Sequence, residues 1–197
     1  MNNAGILTTP VRKTEDGLET IISVNYVAPY LLTRQLLPLM QAGSRIVNTV
    51  SCTYAIGRIE SEFFERGRNG QFFRIPVYSN SKLALLLFTQ ELAERIKEKG
   101  ITVNASDPGI VSTDMITMQA WFDPLTDIFY RPFIKTPAQG AATAIHLALS
   151  DEARERNGCC YANCKKRNLS ARISHHPQQK QLWDDTEALL RQKGIFL

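Results

Sequence analysis

Tyr78 and Lys82, a phenol and an amine four residues apart, are the side chains of this sequence best suited to moving a proton. They open a segment whose apolar residues (Leu85, Phe88, Leu92, Ile96) recur at helical spacing. On a helix that separation puts both groups on one face, one turn apart. A neighbouring ammonium favours phenolate, so the Tyr78 pKa is expected to fall from its ordinary value of about 10 toward working pH. A tyrosine so placed is a usable proton donor and acceptor. Taken without their surroundings, the same two residues read as an amphipathic helix with Lys82 extending into water.

The elements that position them follow from periodicity. Short strand-like runs alternate with longer helix-like ones, which indicates an α/β domain with a parallel sheet. After a turn at Asn3-Ala4-Gly5, Glu19 to Gln41 reads as a long helix with Ile21, Val24, Val27, Leu31 and Leu32 inward, ended by Ala42-Gly43. Arg45 to Val50 is a buried strand leading to Ser51, and by itself a strand-end serine caps local backbone. Gly57 to Pro76 is polar, with Arg66-Gly67-Arg68-Asn69-Gly70 at its tip, and reads as an insertion loop. Tyr78 to Lys99 is the second long helix, ended by Gly100. Ile101 to Ala105 is the next strand, terminating at Asp107-Pro108-Gly109. The aromatic segment from Thr113 to Pro132 is followed by a helix from Pro137 to Leu149. Cys159 to Ala162 is a last strand, and Gln181 to Gln192 a terminal helix around Trp183.

Composition narrows the classes. A chain of 197 residues, 44% hydrophobic and 21% charged, is expected to form one domain over residues 1–197 with a sizeable core. The net charge of +4 is mild, and its densest patch, Lys165-Lys166-Arg167, reads as a solvated loop, so no nucleic-acid partner is expected. No run approaches the roughly 20 apolar residues of a membrane span, and Met1 to Gly5 is not a signal peptide, which makes the expectation cytoplasmic. Cys52, Cys159, Cys160 and Cys164 lack the paired spacing of a zinc site and read as reduced thiols, with no metal.

With these residues in place the chain resembles the short-chain dehydrogenase/reductases, and more narrowly their retinol dehydrogenase-like branch. The matching pieces are NNAG at Asn2 to Gly5, VNYVAPYLLT from Val24 to Thr33, RIVNTVS ending at Ser51, and YSNSKLALLLFTQEL from Tyr78. DPGIVST at Asp107 to Thr113, FIKTPAQGA from Phe133 and QLWDDTEALL from Gln181 complete the set. Tyr-x-x-x-Lys alone arises by chance in many helices; the ordered set covers essentially the whole chain.

The resemblance implies a Rossmann-like, doubly wound parallel sheet in a three-layer αβα arrangement, and an NAD(P)-dependent oxidoreductase that interconverts an alcohol and a carbonyl. Tyr78 would be the general acid/base, Ser51 would polarise the substrate oxygen, and Lys82 would lower the Tyr78 pKa and hold the nicotinamide ribose. Asn25 would hold a water that links Lys82 to solvent; on residue type alone it reads as a structural hydrogen bonder. Asn3, Ala4 and Gly5 would lie against the adenosine ribose, where a bare backbone allows close approach. Tyr78, Lys82, Pro108, Gly109, Val111 and Thr113 would contact the nicotinamide end, at the strand ends where open α/β sheets bind ligands. NADP is slightly favoured over NAD. The substrate would be a small-molecule alcohol or carbonyl compound, and the two long helices could pair in a homo-oligomer. Thr113 to Pro132 reads either as plain core or as the family's substrate lid.

The sequence departs from that pattern in several places. Val50 and Cys52 flank Ser51 where many relatives carry paired serines, and Asp107 stands where retinol-type relatives often have histidine. The largest departure is the absence of any Gly-x-x-x-Gly-x-Gly loop, the family's pyrophosphate cradle at a helix N-terminus. Asn2 then reads as the end of a strand, and residues 1–197 as an N-terminally truncated, partial Rossmann domain lacking a βαβαβ portion on the order of 75 residues. Two expectations stand. One is an oxidoreductase; the other is a catalytically inactive remnant or interaction protein that cannot bind the cofactor alone.

Overall fold

A computed structural model describes residues 1–7, 12–60, 63–64, 74–111 and 135–195. Its centre is a sheet of strands β1 (Arg45–Thr49), β2 (Thr102–Asp107), β3 (Cys160–Ala162) and β4 (Lys165–Lys166), in that spatial order. The β1–β2 and β2–β3 pairs are parallel, and β4 returns antiparallel. Arg45 pairs with Thr102 and Thr49 with Ser106, so β1 and β2 end side by side. The stub anticipated at Asn2 pairs in parallel with Asn48 on the other side of β1, through Asn2 N–H to Val47 O (2.8 Å) and Thr49 N–H to Asn2 O (2.9 Å).

Alternation along the strands divides two apolar faces. Ile46, Val103 and Ala105 join the larger core, under helix α3 (Arg74–Arg95). Val47 turns the other way, to Ala144 and Leu147 of helix α4 (Pro137–Leu149), with Ala153 and Tyr161. Helix, sheet, helix is therefore the layering. Helix α4 begins with a capping box, in which Thr136 accepts from Gln139 N–H and Gln139 accepts from Thr136 N–H.

The first long helix is not regular. It runs as α1 (Thr20–Ile22), a π turn (Ser23–Val27), α2 (Ala28–Leu36) and a 3₁₀ turn (Leu37–Leu39). Ala28 N–H donates to Ser23 O, five residues back, and Pro29 has no N–H to give to Asn25 O. The extra residue shifts the phase of everything that follows. Ile21, Ile22, Tyr26, Tyr30 and Thr33 are buried, whereas Leu32, expected inward, is 51% exposed.

Three further expectations are corrected. Helix α3 starts at Arg74 rather than Tyr78, because Pro76 falls in its first turn, where a missing N–H costs nothing. Within the expected insertion loop, Phe63 is buried and meets Tyr26 edge-on at 5.6 Å, so this stretch contributes to the core. Lys165 and Lys166 form β4 rather than a loop; the preceding Asn163 and Cys164 both take positive φ (52° and 58°), as a two-residue hairpin turn requires. Helix α6 (Gln179–Gln192), which follows the short α5 (Ala171–Ser174), packs on α3. Trp183 of α6 packs on Tyr30 (5.1 Å) and Phe88 (5.9 Å) and lies between Arg34 and Arg95, while the Tyr30 hydroxyl donates to Glu187.

All four cysteines are free, and among the described residues no group of His, Cys, Asp and Glu could hold a metal. No helix among them is long and apolar enough to cross a membrane. Arg66 to Gly70, Thr113 and the aromatic segment to Pro132 lie outside the described residues.

Candidate active site

Ser51 leaves β1 and caps the 3₁₀ turn Cys52–Ile56, accepting from Thr53 N–H at 3.4 Å. That turn is pressed onto the start of α3. A Cβ on Gly57 would sit 2.5 Å from Ser79 O and 2.8 Å from Leu83 Cβ, so only glycine lets the backbones approach. Arg58 N–H donates to Asn80 Oδ1 at 2.8 Å, and Arg172 of α5 donates to the Ala55 and Gly57 carbonyls. The result is that the Ser51 hydroxyl acts on the Tyr78 phenol as a neighbour, though the two are 27 positions apart in sequence.

Lys82 lies one turn further along α3, 3% exposed, with its ammonium 5.6 Å from the centroid of the Tyr78 ring. It donates to Thr49 O at 2.8 Å, which ties α3 to the end of β1. Gly5 faces the same ammonium: a Cβ there would be 3.3 Å from Nζ and 3.5 Å from Asn25 Oδ1. Asn25, fully buried in the π turn, accepts from Ile6 N–H (2.8 Å) and donates to Ile6 O (3.0 Å) and Ser81 Oγ (3.1 Å). Ser81 Oγ in turn donates to Tyr78 O at 2.7 Å. Both N–H groups of the Asn25 carboxamide thus fasten the Gly5–Ile6 segment to α3. Asn3 and Ala4 are exposed, and Asn3 Oδ1 accepts from Thr49 Oγ1 at 3.0 Å.

The end of β2 completes the rim. Val50 N–H donates to Ser106 O, so Asp107 and Pro108 emerge beside Ser51. Gly109 takes φ +76°, and Val111 bridges in parallel to Lys135. Sequence reasoning missed four contributors here: Gly57, Ser81, Lys135 and the pairing of Asp107 with Arg167 at 3.6 Å. None carries a local signal, because each acts through a partner distant in sequence or through its own lack of a side chain.

The electrostatics correct one expectation. The Tyr78 pKa is raised above 10, not lowered. Burial disfavours phenolate most strongly, the Ser51 hydroxyl opposes it, and Cys52 and Asp107 add to the rise. The Lys82 ammonium is directed at Thr49 O rather than at the phenol oxygen and does not offset this. Burial also pulls Lys82 itself down from 10.5 to about 8. The site therefore holds a neutral phenol, a hydroxyl beside it, and a weakened ammonium, at the carboxyl ends of two parallel strands.

Comparison with known proteins agrees with this arrangement. The profile of the short chain dehydrogenases matches residues 1–121. Retinol dehydrogenase 14 of Homo sapiens is 39% identical over 195 residues, covering 96% of this chain and 57% of that protein. Retinol dehydrogenase 12 of Mus musculus is 35% identical over 192 residues, with 96% and 60% covered. Among solved structures, an uncharacterised protein from Mycobacterium paratuberculosis superposes with a TM-score of 0.74 at 27% identity, covering 96% of this chain and 65% of that one. A blue fluorescent protein from a metagenomic library, in complex with NADPH, gives 0.59 at 30% identity, covering 82% and 61%. The chain belongs to the short-chain dehydrogenase family, and its fold is the Rossmann-like α/β fold of that family. It spans 57% to 60% of the length of these retinol dehydrogenases.

Proposed function

We propose that this chain carries the proton-transfer and nicotinamide-facing part of an NAD(P)-dependent oxidoreductase that interconverts an alcohol and a carbonyl compound. One observation carries the reading: the Ser51 side chain and the Tyr78 phenol are brought side by side at the carboxyl edge of a parallel sheet, with Lys82 one turn away over the same ring. Bound NADPH in the blue fluorescent protein and bound NADP in a short-chain dehydrogenase from Burkholderia cenocepacia, 26% identical, support a nicotinamide cofactor and favour NADP. When bound, that cofactor supplies the hydride.

The chain's own residues supply orientation and the proton. Tyr78, neutral because its pKa is raised, gives its proton to the carbonyl oxygen in reduction and takes it back in oxidation. Ser51 holds the same oxygen. Lys82 would hold the ribose, and Gly5 lets the chain pass close to Nζ, where a Cβ would stand at 3.3 Å. Asn25 keeps Gly5 and Lys82 in register through Ile6 and Ser81. Asn3 and Ala4 offer exposed surface for the adenosine ribose, and Pro108, Gly109 and Val111 the wall at the nicotinamide end.

NADPH and NADH fluorescence titration, followed by an all-trans-retinal reduction assay chosen from the relatives' names, tests this. Saturable micromolar binding is expected, with reduction lost at least about a hundredfold in Tyr78→Phe while binding persists. A folded chain without binding would favour the second reading, a non-catalytic protein.

A further inference from the structure

The β3–β4 hairpin carries none of the proposed chemistry, yet two polar links end on the turn that faces it. Lys135 Nζ donates to Asn163 Oδ1 on the hairpin at 2.6 Å and to Pro108 O at 2.8 Å. Gly109 makes room for it: a Cβ there would lie 3.0 Å from Lys135 Nζ and 3.3 Å from Cε. Arg167, just past β4, brings Nη2 to 3.6 Å from Oδ2 of the buried Asp107, whose Oδ1 accepts from Gly109 N–H at 3.0 Å. The Lys135 backbone adds a bond from its N–H to Ile110 O at 2.9 Å. Asp107, Pro108, Gly109 and Ile110 are thus each held, directly or through a neighbour, by groups 25 or more positions later in sequence.

We propose that Lys135 and Arg167 are positioning residues that brace the Asp107–Gly109 turn against the β3–β4 hairpin, so that the turn presents a fixed wall to the nicotinamide. What the wall faces rests on the cofactor reading above; the brace itself does not. The physical case is that a turn of three residues, one of them glycine and one lacking an N–H, has little internal bonding with which to fix itself. Charged donors make stronger bonds than neutral ones, and Asn163 is anchored in a hairpin turn of defined twist.

Two measurements separate the brace from the cofactor reading. Backbone hydrogen exchange of the chain without cofactor should quicken about tenfold at Gly109 and Lys135 in Lys135→Met and in Asn163→Gly. Strands β1 and helix α3 should exchange as before. Asn163→Gly keeps the positive φ and removes only an exposed carboxamide, so it tests the brace even where Lys135→Met fails to fold. The NADPH Kd should rise by a similar factor, with Lys135→Arg partly restoring it. Unchanged exchange at the turn in Asn163→Gly overturns the brace, as does exchange that quickens equally throughout the chain. A native chain that does not bind NADPH overturns the cofactor reading, while the exchange result still decides the brace.

Discussion

Lys82→Met tests the electrostatics of the site most directly. Lys82 is buried, and among the described residues its hydrogen-bond partner is a single backbone carbonyl, Thr49 O. Burial lowers its pKa from 10.5 to about 8, so keeping the ammonium charged inside the fold costs roughly 3 kcal/mol. The folded value lies below the unfolded one, which fixes the sign. The penalty is complete below pH 8, fades while the unfolded chain still holds a proton that the folded chain has lost, and is gone above pH 10.5. Stability from this group therefore rises with pH across that window. Methionine keeps the apolar stem and removes the charge. Relative to Lys82→Met, the native chain should gain about 2 to 3 kcal/mol between pH 7 and pH 10, other titrating groups cancelling in the difference. At pH 7 the variant should be the more stable by about 1 to 2 kcal/mol, the lost bond to Thr49 O offsetting part of the gain. Urea denaturation at several pH values measures this, provided the slopes stay equal. A stability difference that is flat with pH would refute the reasoning. The same variant should lose carbonyl reduction, so stability and activity should move in opposite directions.

Two further substitutions probe how the site is held. Gly57→Ala places a methyl against the Ser79 carbonyl and should cost about 1 to 3 kcal/mol by chemical denaturation. Because the turn after Ser51 must then lift from α3, reduction rate should fall more than cofactor affinity, and an unchanged rate would show that the contact does not position Ser51. Trp183→Ala removes the side chain that seals α6 over Tyr30 and Phe88 and should cost about 3 to 5 kcal/mol. Size-exclusion chromatography of that variant reports whether the uncovered groove then pairs two copies.

The sheet was legible because its strands are short apolar runs whose ends coincide with the chemistry. Ser51 follows β1, Asp107 ends β2, and parallel pairing puts those ends together. The order of Ser51, Tyr78 and Lys82 was equally readable, since helical spacing fixes the last two and the strand fixes the first. Other features were hidden for stated physical reasons. The π turn depends on Pro29 denying a donor to Asn25, and a pattern read at 3.6 residues per turn then misplaces Leu32. Strand β4 is two lysines without alternation, and its turn, Asn163-Cys164, lacks the glycine that usually announces such a hairpin. The direction of the Tyr78 shift was illegible from spacing, because it is set by burial and by Asp107, which arrives from another strand.

That correction alters what Lys82 can do. A phenol held above its ordinary value and an ammonium weakened to about 8 are ordered so that a proton moves downhill from Lys82 to a Tyr78 phenolate. Depressing the phenol's pKa would make Tyr78 easier to deprotonate but would narrow that gap and slow its recharging. In the proposed reduction, Tyr78 becomes phenolate when it gives its proton to the substrate oxygen, and Lys82 is then the stronger acid one helical turn away. Their separation, with the ammonium over the ring and bonded to Thr49 O, calls for an intervening hydroxyl or water to carry the proton. Gly5 lets the chain pass close to Nζ, where a Cβ would stand at 3.3 Å, and Asn25 fixes that approach by fastening Ile6 to Ser81. The small residue and the π turn thus serve the same end as the hydrogen bond to Thr49 O: they hold the Lys82 ammonium in place over the Tyr78 ring.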